Sequence, residues 1–168
     1  MSDSLEALRS RAKVGIGRPG VEPVAVEEPV SDEECCTAFG FRRGIHDRAL
    51  TIEFRLADGN CRAFPFSWLG PMTYNPSAGL LLQFVGDRVH WVFIEGSNLN
   101  TTVNGAVSLF DSGILRHRIT WVREMNRAEI SRAKPGEVVI DRIRIAAQKP
   151  DDEPKGIAWL EPFKLTEE

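Results

Sequence analysis

The stretch ALTIEFRLADGNCRAFPF constrains this chain more than any other. Leu50, Ile52, Phe54 and Leu56 alternate with Thr51, Glu53 and Arg55, the two-residue period of a strand with one buried face. Asp58-Gly59 follows, a pair that accepts the positive φ of a tight hairpin turn. Arg62, Phe64 and Phe66 then share one face of a returning strand, with Cys61 and Ala63 on the other. Pro65 brings no backbone N–H, which assigns the returning strand to a sheet edge or a bulge. An isolated hairpin is marginal in water, so a chain built around this one must extend it into a larger sheet.

The segment LLLQFVGDRVHWVFIEG supplies a second hairpin. Leu80 to Val85 runs in, Gly86-Asp87 turns, and Val89 to Ile94 runs out, with a Val, Ile, Trp and Phe content that favours strand over helix. Trp91 and Phe93 share a face opposite His90, Val92 and Ile94, so this strand is apolar on both sides. Such a strand belongs at the centre of a sandwich or beneath a partner. SWLGPMTYNPSAG reads as a turn-rich connection, punctuated by Gly70-Pro71 and Asn75-Pro76. SNLNTTVNGAVSLFDSG reads as a short helix or a loop: Leu99, Val103, Val107 and Phe110 have helical spacing behind a Ser97 cap, against Gly105 and the asparagines. In ILRHRITWVRE, Leu115, His117, Ile119 and Trp121 fall on one face and Arg116, Arg118 and Thr120 on the other. MNRAEISRAKPG predicts a helical turn closed by Pro135-Gly136, and VVIDRIRIA a last strand with Val139, Ile143 and Ile145 opposite Arg142 and Arg144. The expected fold is mostly β: a small antiparallel barrel or sandwich of about six strands with one or two short helices.

Residues 39–148 hold this domain, between two acidic arms. Residues 1–38 read as a flexible arm, where Ser4 caps a short helix, the glycines from Gly15 to Gly20 stop it, and VEPVAVEEPVSDEE has linker composition. Residues 149–168 read as a disordered tail in which an acidic spacer leads into Ile157, Trp159, Leu160 and Phe163. So much apolar area in an acidic tail predicts docking, on the chain's own domain or on another chain, with Trp159 as anchor.

The charge layout follows the same division. Residues 40–149 carry 15 Lys or Arg against 10 Asp or Glu, whereas residues 1–39 carry 4 against 8 and residues 150–168 carry 2 against 6. A cationic domain is thus flanked by anionic arms, beneath a net charge of only −3. The domain is arginine-rich, and arginine pairs bidentately with carboxylate or phosphate. If their strands share a sheet face, Arg116, Arg118, Arg142 and Arg144 form a cationic binding surface for nucleic-acid phosphate or for an acidic peptide, the arms included.

Catalytic and metal motifs are missing. His46, His90 and His117 lack the spacing of a zinc set with Cys35, Cys36 or Cys61, and no metal or cofactor is expected. The three cysteines are expected as reduced thiols. Gly15-x-Gly17-x-x-Gly20 matches a dinucleotide fingerprint only literally, because it follows no strand and contains Pro19. Neither a nucleophile elbow nor a P-loop occurs. Trp68, Tyr74 and Trp91 serve either as core or as a stacking platform for bases or sugars. No apolar run is long enough to span a membrane and no secretory signal opens the chain, so a cytoplasmic location is expected. Strand–turn–strand segments ending in a basic strand give residues 49–122 a loose likeness to Sm-like RNA-binding barrels. The stretches from Ser67 to Gly79 and from Ser97 to Gly113 are too long for the Sm-like motifs, and no family is assigned. The leading functional expectation is a non-enzymatic binding or assembly module acting through protein–protein contacts, with a protein partner or a second copy. RNA binding through the arginines is the alternative, and a small-molecule or enzymatic pocket lined by aromatics the second alternative.

Overall fold

The computed structural model describes residues 33–148 apart from Ile45. All of them belong to Asp32–Glu168, one of the two units into which the chain divides. The arms, with the short helix expected near Ser4 and the Ile157–Phe163 motif, lie outside the described residues except for residues 33–38.

The described strands are β1 (Glu33–Cys35), β2 (Phe39–Arg42), β3 (Thr51–Arg55), β4 (Cys61–Pro65), β5 (Leu69–Asn75), β6 (Gly79–Val85), β7 (Val89–Ser97), β8 (Ile119–Arg123) and β9 (Val139–Gln148). They form two sheets, in the orders β1-β2-β8-β3-β4 and β5-β6-β7-β9. The arrangement is a sandwich-like β fold rather than a closed barrel. One pair departs from the antiparallel expectation: β3 and β8 run parallel, Glu53 opposite Trp121. Among the described residues there stand, beyond the strands, a 3-10 turn at Phe66–Trp68, a π-type turn at Phe110–Ile114 and a short α-helix, α1 (Arg127–Arg132).

The first hairpin forms as its sequence dictates. Gly59 takes φ 87°, and the Asp58 carboxylate accepts the Asn60 N–H at 2.9 Å, closing the turn. Ile52, Phe54 and Phe64 are buried, and Pro65 sits on β4, an edge strand. Leu50 departs from the alternation and is 84% exposed, because it precedes the ladder. Helix α1 starts at a reciprocal capping box, Asn126 with Glu129. Where a helix or a loop was open, residues 98–109 take the loop, with a single bridge between Val103 and Val107.

Two strands escape the sequence pattern. SWLGPMTYNPSAG is largely β5, not a turn-rich connection; Pro71 is accommodated by a bulge between Leu69 and Met72 on an edge strand, where a missing N–H costs little. The first sheet also reaches back to β1, inside the stretch read as an arm. In β8 the expected face of Ile119 and Trp121 is split. A bulge at Gly40/Phe41 lets Ile119 and Val122 both enter the core, while Trp121 turns outward under the Arg55 guanidinium, 4.6 Å from its ring. Gly40 is required there, since a Cβ would fall 2.2 Å from the indole nitrogen.

The inner faces meet in an aromatic cluster. Phe84 of the four-stranded sheet stacks on Phe64 at 4.7 Å and meets Phe54 edge-on at 6.1 Å, both from the five-stranded sheet. Leu80, Leu82, Val92, Ile94 and Ile143 continue the core on one side, with Phe39, Phe41, Ile52, Ile119 and Val122 on the other. Where the chain leaves β8, the Glu124 carboxylate accepts the N–H of Ala57 and, at 2.6 Å, that of Ile143 in β9, tying the two sheets through backbone groups. Phe84→Ala should lower the unfolding free energy by about 3–5 kcal/mol. A denaturant titration reads this as a lower midpoint at unchanged slope; a shift worth less than about 1 kcal/mol would show that this cluster does not join the sheets.

Candidate interaction surface

The two arginine pairs do not come together. Arg116 is exposed in the turn before β8, and Arg118, only 7% exposed, immediately precedes β8, whereas Arg142 and Arg144 stand on β9 of the four-stranded sheet. Arg118 is committed to structure: its Nε donates to the Arg42 carbonyl at 2.9 Å and its second nitrogen to the Arg43 carbonyl. Arg144 pairs with Glu95 at 3.1 Å. Arg116 in its turn and Arg142 on β9 are exposed to solvent.

The aromatic trio is dispersed as well. Tyr74 faces the core side of its sheet and stacks on Phe110 at 5.2 Å. Trp91 projects from the opposite face of that sheet, and Trp68 lies over the β6–β7 turn, where its ring closes on Gly86. No common stacking platform results.

His90, His117 and Cys36 serve packing, whereas His46, Cys35 and Cys61 are exposed. The His90 ring lies 5.1 Å from Phe64, and its Nδ1 is buried without a hydrogen-bond partner. His117 is not on a strand; it takes φ 55° in the turn before β8 and stacks on Phe66 at 4.6 Å. Burial, then the charge of Arg48, pulls its imidazole below the usual range. The Cys36 thiol is pushed up by burial, and Cys61 by the thiol's hydrogen bond to Glu53, so neither is held as a ready thiolate. All three cysteines are unpaired. Among the described residues no group of three or more His, Cys, Asp or Glu is placed to hold a metal ion, and no helix is long and apolar enough to cross a membrane.

An open cleft of about 720 Å³ lies beside α1, lined by Cys35, Cys36, Thr101, Glu129, Arg132 and Lys134 among others. Both of its acids are occupied: Glu137 accepts the Lys134 N–H at 2.9 Å, and Glu129 caps α1 and pairs with Arg123 at 3.0 Å, the Asn126 N–H, then Arg123, holding its carboxyl below the usual range. None of Trp68, Tyr74, Trp91, His90, His117 or Cys61 lines this cleft, so it is not the aromatic pocket expected of an enzyme or small-molecule binder.

The outer face of the four-stranded sheet is different in kind. Cross-strand register places Thr73, Leu81, Phe93 and Arg144 in one outward row, Gln83, Trp91 and Ala146 in the next, and Val85, Val89 and Gln148 in a third. Leu81 and Phe93 are only 6% and 3% exposed, yet neither belongs to the core between the sheets. The Trp91 indole N–H is likewise shut from solvent, with no acceptor. The alternation of Trp91 and Phe93 against His90, Val92 and Ile94 was the sequence signal for this face. The part played by Leu81 was hidden in the uninterrupted run Leu80–Leu82.

Two outcomes separate structural from available groups. Arg118→Leu should destabilise the fold by about 2–3 kcal/mol, because two carbonyls lose a charged donor. Arg116→Ala and Arg142→Ala should stay within about 0.5 kcal/mol, all three read by denaturant unfolding. For His117, the lowered folded value means that the unfolded chain binds the proton more readily. Its contribution is therefore intact above the unfolded imidazole value and is lost as pH falls through that value toward the folded one. His117→Asn, which tolerates the left-handed backbone, should flatten the decline of Tm between about pH 7 and pH 5. An unchanged decline would assign that pH dependence to other groups.

No family model, no curated protein and no solved structure matches this chain.

Proposed function

We propose that this protein is a non-enzymatic binding or assembly module that works through protein–protein contacts, with the outer face of the four-stranded sheet as its working surface. The observation that carries the reading is the pair Leu81 and Phe93, nearly sealed from solvent on the side of β6 and β7 that faces away from the other sheet. Apolar and aromatic area on a rigid sheet, rimmed by charge, is the composition of a protein interface. The RNA alternative finds less support, since Arg118 is committed to backbone carbonyls and one arginine pair precedes β8 of the five-stranded sheet while the other stands on β9 of the four-stranded one.

Light scattering on the full chain and on a chain ending at Lys149 tests this. The core cluster lies wholly within residues 38–143, so the shorter chain retains it. Removal of residues 150–168 should change the mass distribution and increase binding of a hydrophobic dye, as an apolar surface loses its contact. Identical monomers with identical dye binding would sink the proposal.

A further inference from the structure

The outer face of the four-stranded sheet is covered, and we infer that the cover is this chain's own C-terminal segment, with Ile157, Trp159, Leu160 and Phe163 laid across Leu81, Trp91, Phe93 and Ala146. The inference rests on the protein-binding reading of that face and names its resident occupant. An outward strand residue stays wet unless something lies on it. Val85, on the same face, is 48% exposed, whereas Leu81 and Phe93 are nearly dry. The cover is therefore local, over the Leu81–Phe93 and Trp91 rows. The opposite sheet does not supply it, because neither Leu81 nor Phe93 joins the core between the sheets.

The chain leaves the sheet beside this face. Gln148, the last described residue of β9, stands opposite Val89 in the row that contains Val85. From Val89 to Phe93 is four residues along β7, roughly 14 Å. Residues 149–156, fully extended, reach roughly 26 Å, enough to set Ile157 and Trp159 over the covered rows. The chemistry also matches. Residues 157–163 are the apolar part of the tail, and they would bring Trp159 to a face that already presents Trp91 and Phe93.

Charge sets the direction. Arg88 is exposed at the turn beside Val89, next to the point of exit, where Asp151, Asp152 and Glu153 follow. Arg142 is exposed at the far end of the face, next to the Arg144–Glu95 pair, where Glu161 of the motif would arrive. Four of the tail's 6 acids would thus meet cations at the two ends of the apolar strip. A tethered segment acts at an effective concentration in the millimolar range, so a partner bearing a similar aromatic peptide must displace it. The tail is a built-in competitor.

The experiment uses the full chain, in wild-type form and as Trp159→Asp/Phe163→Asp, with Ile157→Asp/Leu160→Asp as an independent second variant. All four substitutions lie beyond the sheets, and thermal melts verify that the fold persists. Hydroxyl-radical footprinting reads the solvent access of Leu81, Trp91 and Phe93, and a labelled peptide of residues 150–168 is titrated to about 1 mM. The expected result is a severalfold rise in oxidation at Trp91 and Leu81 in both variants, with the peptide binding the variants and not the wild type. Unchanged footprints, with the peptide binding all forms alike, would overturn the intramolecular cover and leave the face as a protein-binding surface. Protection that fades on dilution would overturn it in favour of a second copy. A peptide that binds no form would remove the face as an acceptor, and the proposed function with it.

Discussion

The contact of Phe84 with Phe54 and Phe64 is where two sheets become one body, and the rest of the fold answers to it. Neither sheet can leave its inner face in water, because burial of each large apolar side chain is worth about 1.5–3 kcal/mol. The inner rows must therefore stay apolar across every strand, whatever the local sequence offers. Bulges at Gly40/Phe41, Leu69/Met72 and Glu95/Gly96 are the means, each shifting one strand by a residue to restore the inward row. Two charged groups at the seam are fully engaged, whereas the His90 Nδ1 beside Phe64 stays buried without a partner. The Glu124 carboxylate takes two backbone N–H groups and the Arg118 guanidinium two backbone carbonyls.

Much of this was legible in the residues. Both hairpins, the α1 helical turn, the last strand and the mostly β class follow from period-two alternation and turn chemistry, which act over a few neighbouring positions. What escaped depends on distant partners. β5 carries Gly70, Pro71 and Asn75, turn residues by local preference, and is a strand because β6 presents a ladder to it. The outward turn of Trp121 is decided by a bulge opposite Gly40, some 80 residues away in sequence, and no alternation rule contains that information. The parallel pairing of β3 with β8 is likewise a fact of topology.

The same division governs the candidate surface. The sequence pattern marked β7 as apolar on both faces, and the structure places β7 inside its sheet with Val92 and Ile94 buried on one face and Phe93 on the other. Grouping arginines by strand face failed for a physical reason. Alternation assigns a side to a residue within its strand, but not the sheet in which the strand sits, nor the carbonyls that claim a guanidinium once it is there.

The parallel β3–β8 pair has a consequence for how this chain reaches its native state. Ala57, just past β3, and Glu124, just past β8, touch across a separation of 67 residues, and the intervening chain includes the whole β5–β6–β7 meander. The five-stranded sheet therefore cannot be finished until a long loop has closed around a partly built neighbour, and β9 must then return to complete the other sheet. Loop closure over such a span precedes the contacts that reward it, which places the chain among slow, high-contact-order folders. Until β8 docks, β2 and β3, paired with β1 and β4 on one side, each leave the other edge open. The interval between synthesis of β3 and arrival of β8 is the period in which this protein is most open to pairing with the wrong chain.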